Sequence, residues 1–233
     1  MGGAMDMSVD VGLRKYMLGI YNKMALGLVL SAVLAFIAGT VPPVTQLIFG
    51  TPLMWVVMFG PIALLLISAF AMRNPSPAGA NAIYWGVVSL IGLGMGALMI
   101  TYGAMPNGME MIAKAFFVTA AAFGGLSLWG YTTKKDLSGW GSFLIMGVIG
   151  LIIASVVNMF LASDALSFAV SVIGVLIFSG LVAYDTQRLK NEYYMLGGDA
   201  RALSVSTTFG ALSLYINFVN LFQFILSLMA SRE

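Results

Sequence analysis

Residues 118–161 read VTAAAFGGLSLWGYTTKKDLSGWGSFLIMGVIGLIIASVVNMFL, two long apolar stretches separated by a short basic loop. A membrane-spanning helix needs about 20 mostly apolar residues, so each stretch is long enough to cross a bilayer. The same pattern recurs along the chain, and only 9% of its 233 residues are charged. It predicts seven spans, at about 24–42, 53–72, 82–103, 112–131, 142–161, 166–184 and 207–229.

The loop charges predict how this bundle sits in the membrane. Most basic residues fall in alternate loops, on one side of the predicted spans: Arg14, Lys15, Lys23, Arg73, Lys134, Lys135, Arg188, Lys190 and Arg201. Only Lys114 and Arg232 fall on the other side. By the positive-inside rule, the N-terminus is cytosolic and the C-terminus lies outside.

We therefore predict an all-α membrane protein with a single domain, a seven-helix bundle over residues 23–233. Residues 1–22 form a cytosolic N-terminal lead-in, partly an amphipathic helix. The very short gap at 162–165 predicts a tight antiparallel hairpin between spans five and six. Short loops and helices rich in Met, Ala and Gly suit a bacterial inner membrane, and the spans can form a self-sufficient monomer.

Composition also indicates what the protein does not do. The chain contains no His and no Cys, and its spans contain no paired carboxylates, so the usual groups for acid-base or nucleophilic catalysis are missing. We expect no enzyme activity and no cofactor. The net charge of +2 and the dispersed basic residues do not indicate a nucleic-acid partner. The expected partner is the lipid bilayer.

Ionisable side chains inside a bilayer are costly, which makes each one a functional candidate. Asp185 closes predicted span six, where the helix dipole disfavours a carboxylate and a cation is needed nearby. Arg73, at the end of span two, is the natural partner, and Arg188 is a local competitor one turn further on. An ordinary interfacial aspartate in a water-exposed loop remains the alternative.

Three asparagines are the supporting polar candidates. Asn217 and Asn220 are three residues apart on span seven and project from one helical face, while Asn158 ends span five. Asparagines between membrane helices often serve only as structural clamps, and that interpretation stays open for these residues.

Several motifs resemble one known family. The segment 118–161, with its GYTTKKDLS loop, is similar to the bacterial Bax inhibitor-1 family, also called transmembrane Bax inhibitor motif or YccA-like proteins. The likeness extends over residues 14–230 and includes AFAMR (69–73), GLVAYDTQRLK (180–190) and LSLYINFVNLFQ (212–223). The resemblance implies two three-helix layers around a central C-terminal helix. It also implies a pH-sensitive calcium leak channel.

In that family an aspartate on helix six pairs with a second aspartate on helix seven, and an arginine ending helix two latches the first. By resemblance these are Asp185 and Arg73, but Asn217 replaces the second aspartate. Two adjacent carboxylates share a proton, and one of them then titrates near neutrality. Without that pair we expect weak pH dependence, and only a weak calcium site at Asp185, since calcium prefers several anionic oxygens.

Two functions from different classes follow from the resemblance. The first is a calcium-permeable leak channel or channel-like ion-homeostasis protein, with calcium as the permeant ion and a polar cluster of Asp185, Arg73 and Asn217 that closes it. The alternative is a membrane regulator that binds other membrane proteins, such as a modulator or substrate of a membrane-bound AAA protease.

Overall fold

The structure is a computed structural model that describes residues 11–71 and 75–231. Every regular element in these ranges is an α-helix, and seven of the eight helices are long and apolar enough to cross a membrane, which confirms the predicted number of spans. The helices are α1 (Val11–Thr40), α2 (Pro42–Phe49), α3 (Leu53–Ala71), α4 (Pro77–Gly103), α5 (Gly108–Thr132), α6 (Ser138–Leu161), α7 (Asp164–Met195) and α8 (Ala200–Ala230).

The C-terminal helix α8 lies at the centre of the bundle. It contacts α1, α4, α5 and α7, and it is the most buried of the seven long helices. On one side α1 and α3 pack against α4, and on the other side α5 and α6 pack against α7. These are the two three-helix layers around a central helix that the family resemblance implies.

Small residues bring α1 and α4 close together. A Cβ atom added to Gly96 would lie 2.7 Å from the Cβ of Ala38, and one added to Gly92 would lie 2.7 Å from the Cα of Ser31. Helices in lipid associate through such close backbone approach, because hydrocarbon provides little hydrophobic drive between them. The small residues that recur at four-residue spacing therefore serve bundle packing here.

The first helix is longer than predicted. It begins at Val11 and runs without a break to Thr40, so the boundary expected at residues 22–23 falls inside it. Leu13, Tyr16 and Ile20 are buried in the core. Because these side chains recur every three or four residues, the early part of α1 presents one face to the bundle.

The turn between α6 and α7 is the tight hairpin predicted from the short gap. Only Ala162 and Ser163 separate the two helices. Ala162 has a left-handed backbone (φ 47°), which reverses the chain, and the hydroxyl of Ser163 accepts a hydrogen bond from the amide of Leu166 at 3.3 Å. The hydroxyl therefore caps the first turn of α7.

Candidate functional site

Asp185 lies inside a helix, not at its end. α7 continues for ten residues beyond it, to Met195, so the prediction that the helix closes at Asp185 is wrong. The apolar stretch does end there, but the polar residues that follow keep the helical backbone. The dipole argument therefore does not apply. The side chain is nonetheless only 6% exposed, which makes Asp185 a buried carboxylate within a spanning helix.

Both oxygens of this carboxylate are occupied by donors from two helices. Arg188, one turn further along α7, places its Nε and Nη2 each 2.9 Å from Oδ1. On α8, the hydroxyl of Ser213 donates to Oδ2 at 2.6 Å and the amide of Asn217 donates to Oδ2 at 2.8 Å. A buried charge persists only when it is paired and hydrogen-bonded in this way. We call these four residues the Asp185 cluster.

A chain of polar contacts extends from the Asp185 cluster toward the predicted cytosolic end. Nη1 of Arg188 lies 3.7 Å from a carboxylate oxygen of Glu192, one turn further along α7. The other carboxylate oxygen of Glu192 accepts a hydrogen bond from Ser206 of α8 at 2.7 Å, and Ser206 is 2.5 Å from the hydroxyl of Tyr16 on α1. Three helices are thus joined through this chain.

Of the residues predicted for the site, the structure brings together Asp185, Asn217 and Arg188. Arg73 lies at 72–74, outside the described residues, so its pairing with Asp185 stays a prediction. Asn220 lies apart from them: its amide donates to the carbonyl of Ile216 on its own helix at 2.8 Å.

Asn158 lies at the opposite end of the bundle from the Asp185 cluster. Its amide donates to Ser167 of α7 at 2.6 Å, and its carbonyl accepts from the backbone of Ser163 at 3.0 Å. Both contacts tie α6 to the hairpin that follows it. These bonds give Asn158 a structural role in the turn.

Sequence reasoning missed Ser213 and Glu192. Ser213 precedes Asn217 by four residues on α8, and this spacing places both side chains on one face of the helix. The spacing could therefore have indicated that Ser213 lies beside the site. A lone serine in a membrane helix does not stand out, however, because Ser is common between packed helices. Glu192 lies beyond residue 184, the predicted end of span six, so the hydropathy pattern assigns it to a loop.

Lys23 forms a second polar centre that the sequence placed on the water side. It lies twelve residues into α1, where its ammonium donates to the side-chain oxygens of Asn81 at 2.6 Å and Thr208 at 2.7 Å. The same nitrogen is 5.7 Å from the centre of the Tyr84 ring, and the hydroxyl of Tyr84 donates to the carbonyl of Lys23 at 2.6 Å. Lys23 therefore connects α1, α4 and α8.

The basic loop between α5 and α6 is attached to α7 near the Asp185 cluster. The side-chain amide of Gln187 donates to the carbonyl of Lys135 and accepts from the amide of Leu137, both at 2.8 Å. The ammonium of Lys190 donates to the carbonyl of Tyr131 at 3.0 Å. The GYTTKKDLS segment is thus held by side chains within two turns of Asp185.

The fold and the Asp185 cluster define a polytopic helical membrane protein in which the central helix holds a buried carboxylate of its neighbour. The family model described as "Inhibitor of apoptosis-promoting Bax1" matches residues 13–233. The chain belongs to the Bax inhibitor-1 family.

Similar proteins occur in several bacteria. An uncharacterized protein of Caulobacter vibrioides is 62% identical, over 98% of this chain and 93% of its own length. A Rickettsia prowazekii protein, also uncharacterized, is 40% identical over 96% and 92% of the two chains. The inner membrane protein YbhL of Escherichia coli is 38% identical over 95% and 94%. With the seven apolar helices, these relatives identify a multi-pass protein of the bacterial inner membrane.

Proposed function

We propose that this protein is a calcium-permeable leak channel, or a channel-like ion-homeostasis protein, and that the Asp185 cluster closes its path. The observation that supports this is the buried carboxylate itself. A charge inside a spanning helix is costly, and such residues mark ion pathways in membrane proteins. Here the carboxylate of Asp185 accepts hydrogen bonds from α7 and from the central helix α8. Any movement that separates the two helices must therefore first break the bonds from α8.

A cavity lined by both polar and apolar residues adjoins the chain of contacts that begins at the cluster. It has a volume of about 530 Å³ at the predicted cytosolic end, and it is lined in part by Glu192, Ser206, Asp199 and Arg201. Charged and hydroxyl side chains suit water and hydrated ions. Because Glu192 reaches Asp185 through Arg188, this cavity is the natural inner entrance to the proposed path.

We infer that the cluster, in its present arrangement, closes the path. Calcium takes six to eight oxygen ligands, whereas Asp185, Ser213 and Asn217 offer one charged and two neutral oxygen-bearing groups. The carboxylate oxygens already accept from protein donors, so a calcium ion must displace Arg188 or the α8 donors to bind. We therefore propose a weak, transient calcium site at Asp185. Arg73 is proposed as a further latch on the same carboxylate.

The proposal is tested by calcium flux into liposomes that contain the purified protein and an entrapped calcium dye. Asn217→Ala removes one of the two donors from α8, so we expect a faster leak than in the wild type. Asp185→Asn removes the charge pair, and we expect it to raise the leak further. Asn220→Ala is the matched control, since that amide donates to Ile216 on its own helix, and it should leave the rate unchanged.

Two results would contradict the channel proposal. One is a wild-type leak equal to that of protein-free liposomes, with no increase in either cluster variant. The other is an equal increase for Asn217→Ala and Asn220→Ala, because that would trace the leak to general loosening of α8. Absence of flux together with co-purification of a membrane-bound AAA protease would favour the regulator instead.

A further inference from the structure

A second cavity, separate from the one at the predicted cytosolic end, lies between α1, α4, α5 and α8. It has a volume of about 300 Å³. Its floor is formed by Phe218, Val219 and Phe222 of the central helix, all of them buried, and Ala35 of α1 forms part of its wall. Apolar cavities of about 150 Å³ in other proteins stay dry and bind benzene. This cavity is twice that size.

The cavity offers nothing that would hold water. Among the described residues that line it, Ser31 alone is polar. Its hydroxyl donates to the carbonyl of Val88 at 3.0 Å and lies 2.6 Å from the hydroxyl of Tyr215. A buried water needs two to four polar partners. Since Ser31 is already bonded, the space suits an apolar occupant.

The cavity opens sideways, toward the surface that faces lipid. Its rim includes the exposed residues Ala32 on α1 and Ala113 and Phe117 on α5, and Phe117 is 71% exposed. All three lie within helices long and apolar enough to span the membrane. The two alanines leave a gap that larger side chains would close. In a bilayer, this gap would face the hydrocarbon that surrounds the spanning helices.

We propose that this cavity binds one acyl chain of a bilayer phospholipid, which enters between α1 and α5 and lies against α8. The volume equals about ten times the ~30 Å³ that a water molecule occupies in the liquid, and a methylene group is of similar size. A segment of about ten methylene groups therefore fills the space. Left empty, the lining would lose its dispersion contacts on one side.

The test uses purified wild-type protein in vesicles of phosphatidylcholine that carries a photoreactive diazirine on one acyl chain. After illumination, adducts are located by mass spectrometry of peptides. Phe222 and Phe178 form a matched pair, because they are 5% and 6% exposed and only Phe222 lines the cavity. We expect several-fold more adduct at Phe222. The lipid-facing Phe143 of α6, which is 70% exposed, serves as the positive control.

Equal labelling of Phe222 and Phe178, with Phe143 labelled, would overturn the proposal. Ala35→Phe fills the cavity from its wall and should abolish the adduct at Phe222 while leaving that at Phe143. The wild-type comparison stands even where this variant does not fold.

A cysteine variant distinguishes lipid from a hydrated path, since the chain has no native Cys. The thiol of Ala35→Cys should not react with a water-soluble methanethiosulfonate reagent, whereas that of Met105→Cys, in the loop after α4, should react fully. Modification of Ala35→Cys at a comparable rate would show that the cavity carries water and would exclude a resident acyl chain.

Discussion

The buried carboxylate of Asp185 is surrounded by donors from Arg188, Ser213 and Asn217. Asn217 is an amide at the point where the family resemblance implies a second carboxylate. Its nitrogen is 2.8 Å from Oδ2 of Asp185, so a carboxylate in its place would lie close enough to Asp185 to share a proton. We therefore expect the identity of residue 217 to govern the pH dependence of the proposed channel.

The variant Asn217→Asp should make calcium flux dependent on pH. At low pH the two carboxylates share a proton and hold α7 against α8, so the path stays closed. As pH rises both ionise, and their repulsion separates the helices. We expect flux in liposomes to increase with pH in the variant and to stay nearly flat in the wild type.

Asn220→Asp is the control for that measurement. It adds the same charge to the same helix, but Asn220 bonds to Ile216 and not to Asp185. Its flux should not acquire the same pH profile. A wild-type profile as steep as that of Asn217→Asp would show that the lone carboxylate suffices, and it would refute this explanation.

Substitution of Lys23 would measure how much its half-buried ammonium group contributes to the stability of the bundle. Lys23→Met keeps most of the side-chain volume but leaves the oxygens of Asn81 and Thr208 without their donor. An unsatisfied polar group inside a protein costs about 1–3 kcal/mol. We expect the free energy of unfolding in detergent to fall by about that amount. Lys15→Met, on the exposed face of α1, should leave it unchanged, and equal stability of both variants would contradict the role.

The sequence could identify Asp185 and Asn217 as candidates because both are strongly polar within apolar stretches. It could not place Lys23, because an apolar window begins just after it and the residue is assigned to the loop. In the structure α1 begins twelve residues earlier and carries Lys23 against Asn81 and Thr208. Contacts of this kind depend on which helices are neighbours, and local hydropathy does not contain that information.

At the scale of the helices, hydropathy predicts where the chain crosses lipid but not where a helix ends. Predicted span six ends at residue 184, whereas α7 runs to Met195. The extra turns carry Gln187, Lys190 and Glu192, whose polar groups bond to the loop at 133–137, to α5 and to α8 respectively. They also carry Arg188, which pairs with Asp185 one turn earlier on α7. Polar residues can continue a helix when other elements satisfy them. The short α2 was missed for a related reason, since its eight residues are too few to span.

The attachment of the α5–α6 loop by Gln187 should control protease access to that loop. Gln187→Ala removes both hydrogen bonds, to the carbonyl of Lys135 and from the amide of Leu137. We expect trypsin to cleave after Lys134 or Lys135 several-fold faster in the detergent-solubilised variant. Asn191→Ala, an exposed position one turn further along α7, should be cleaved at the wild-type rate. Equal rates in both variants would mean that other contacts hold the loop.

For the whole molecule, the seven spans were predictable because each is a long apolar stretch bounded by Gly, Pro or charge. Their arrangement was not predictable from hydropathy, since the peripheral α5 and the central α8 are equally apolar. The polar positions of α8, such as Ser206, Thr208 and Asn217, are buried. A central helix can carry such residues because neighbouring helices, and not lipid, surround it. The central position of the C-terminal helix was predicted only from the resemblance of the motifs to the family.

The orientation of the bundle in the membrane is predicted from the loop charges, and it can be measured with single-cysteine variants. Met105 and Met195 are exposed methionines at opposite ends, 42% and 77% exposed, and the chain has no native Cys. The positive-inside rule places residue 105 outside and residue 195 in the cytosol. In intact cells a small membrane-impermeant maleimide should therefore label Met105→Cys and spare Met195→Cys, and disrupted cells should label both. The reverse pattern would invert the orientation, and with it the side from which calcium would enter the proposed path.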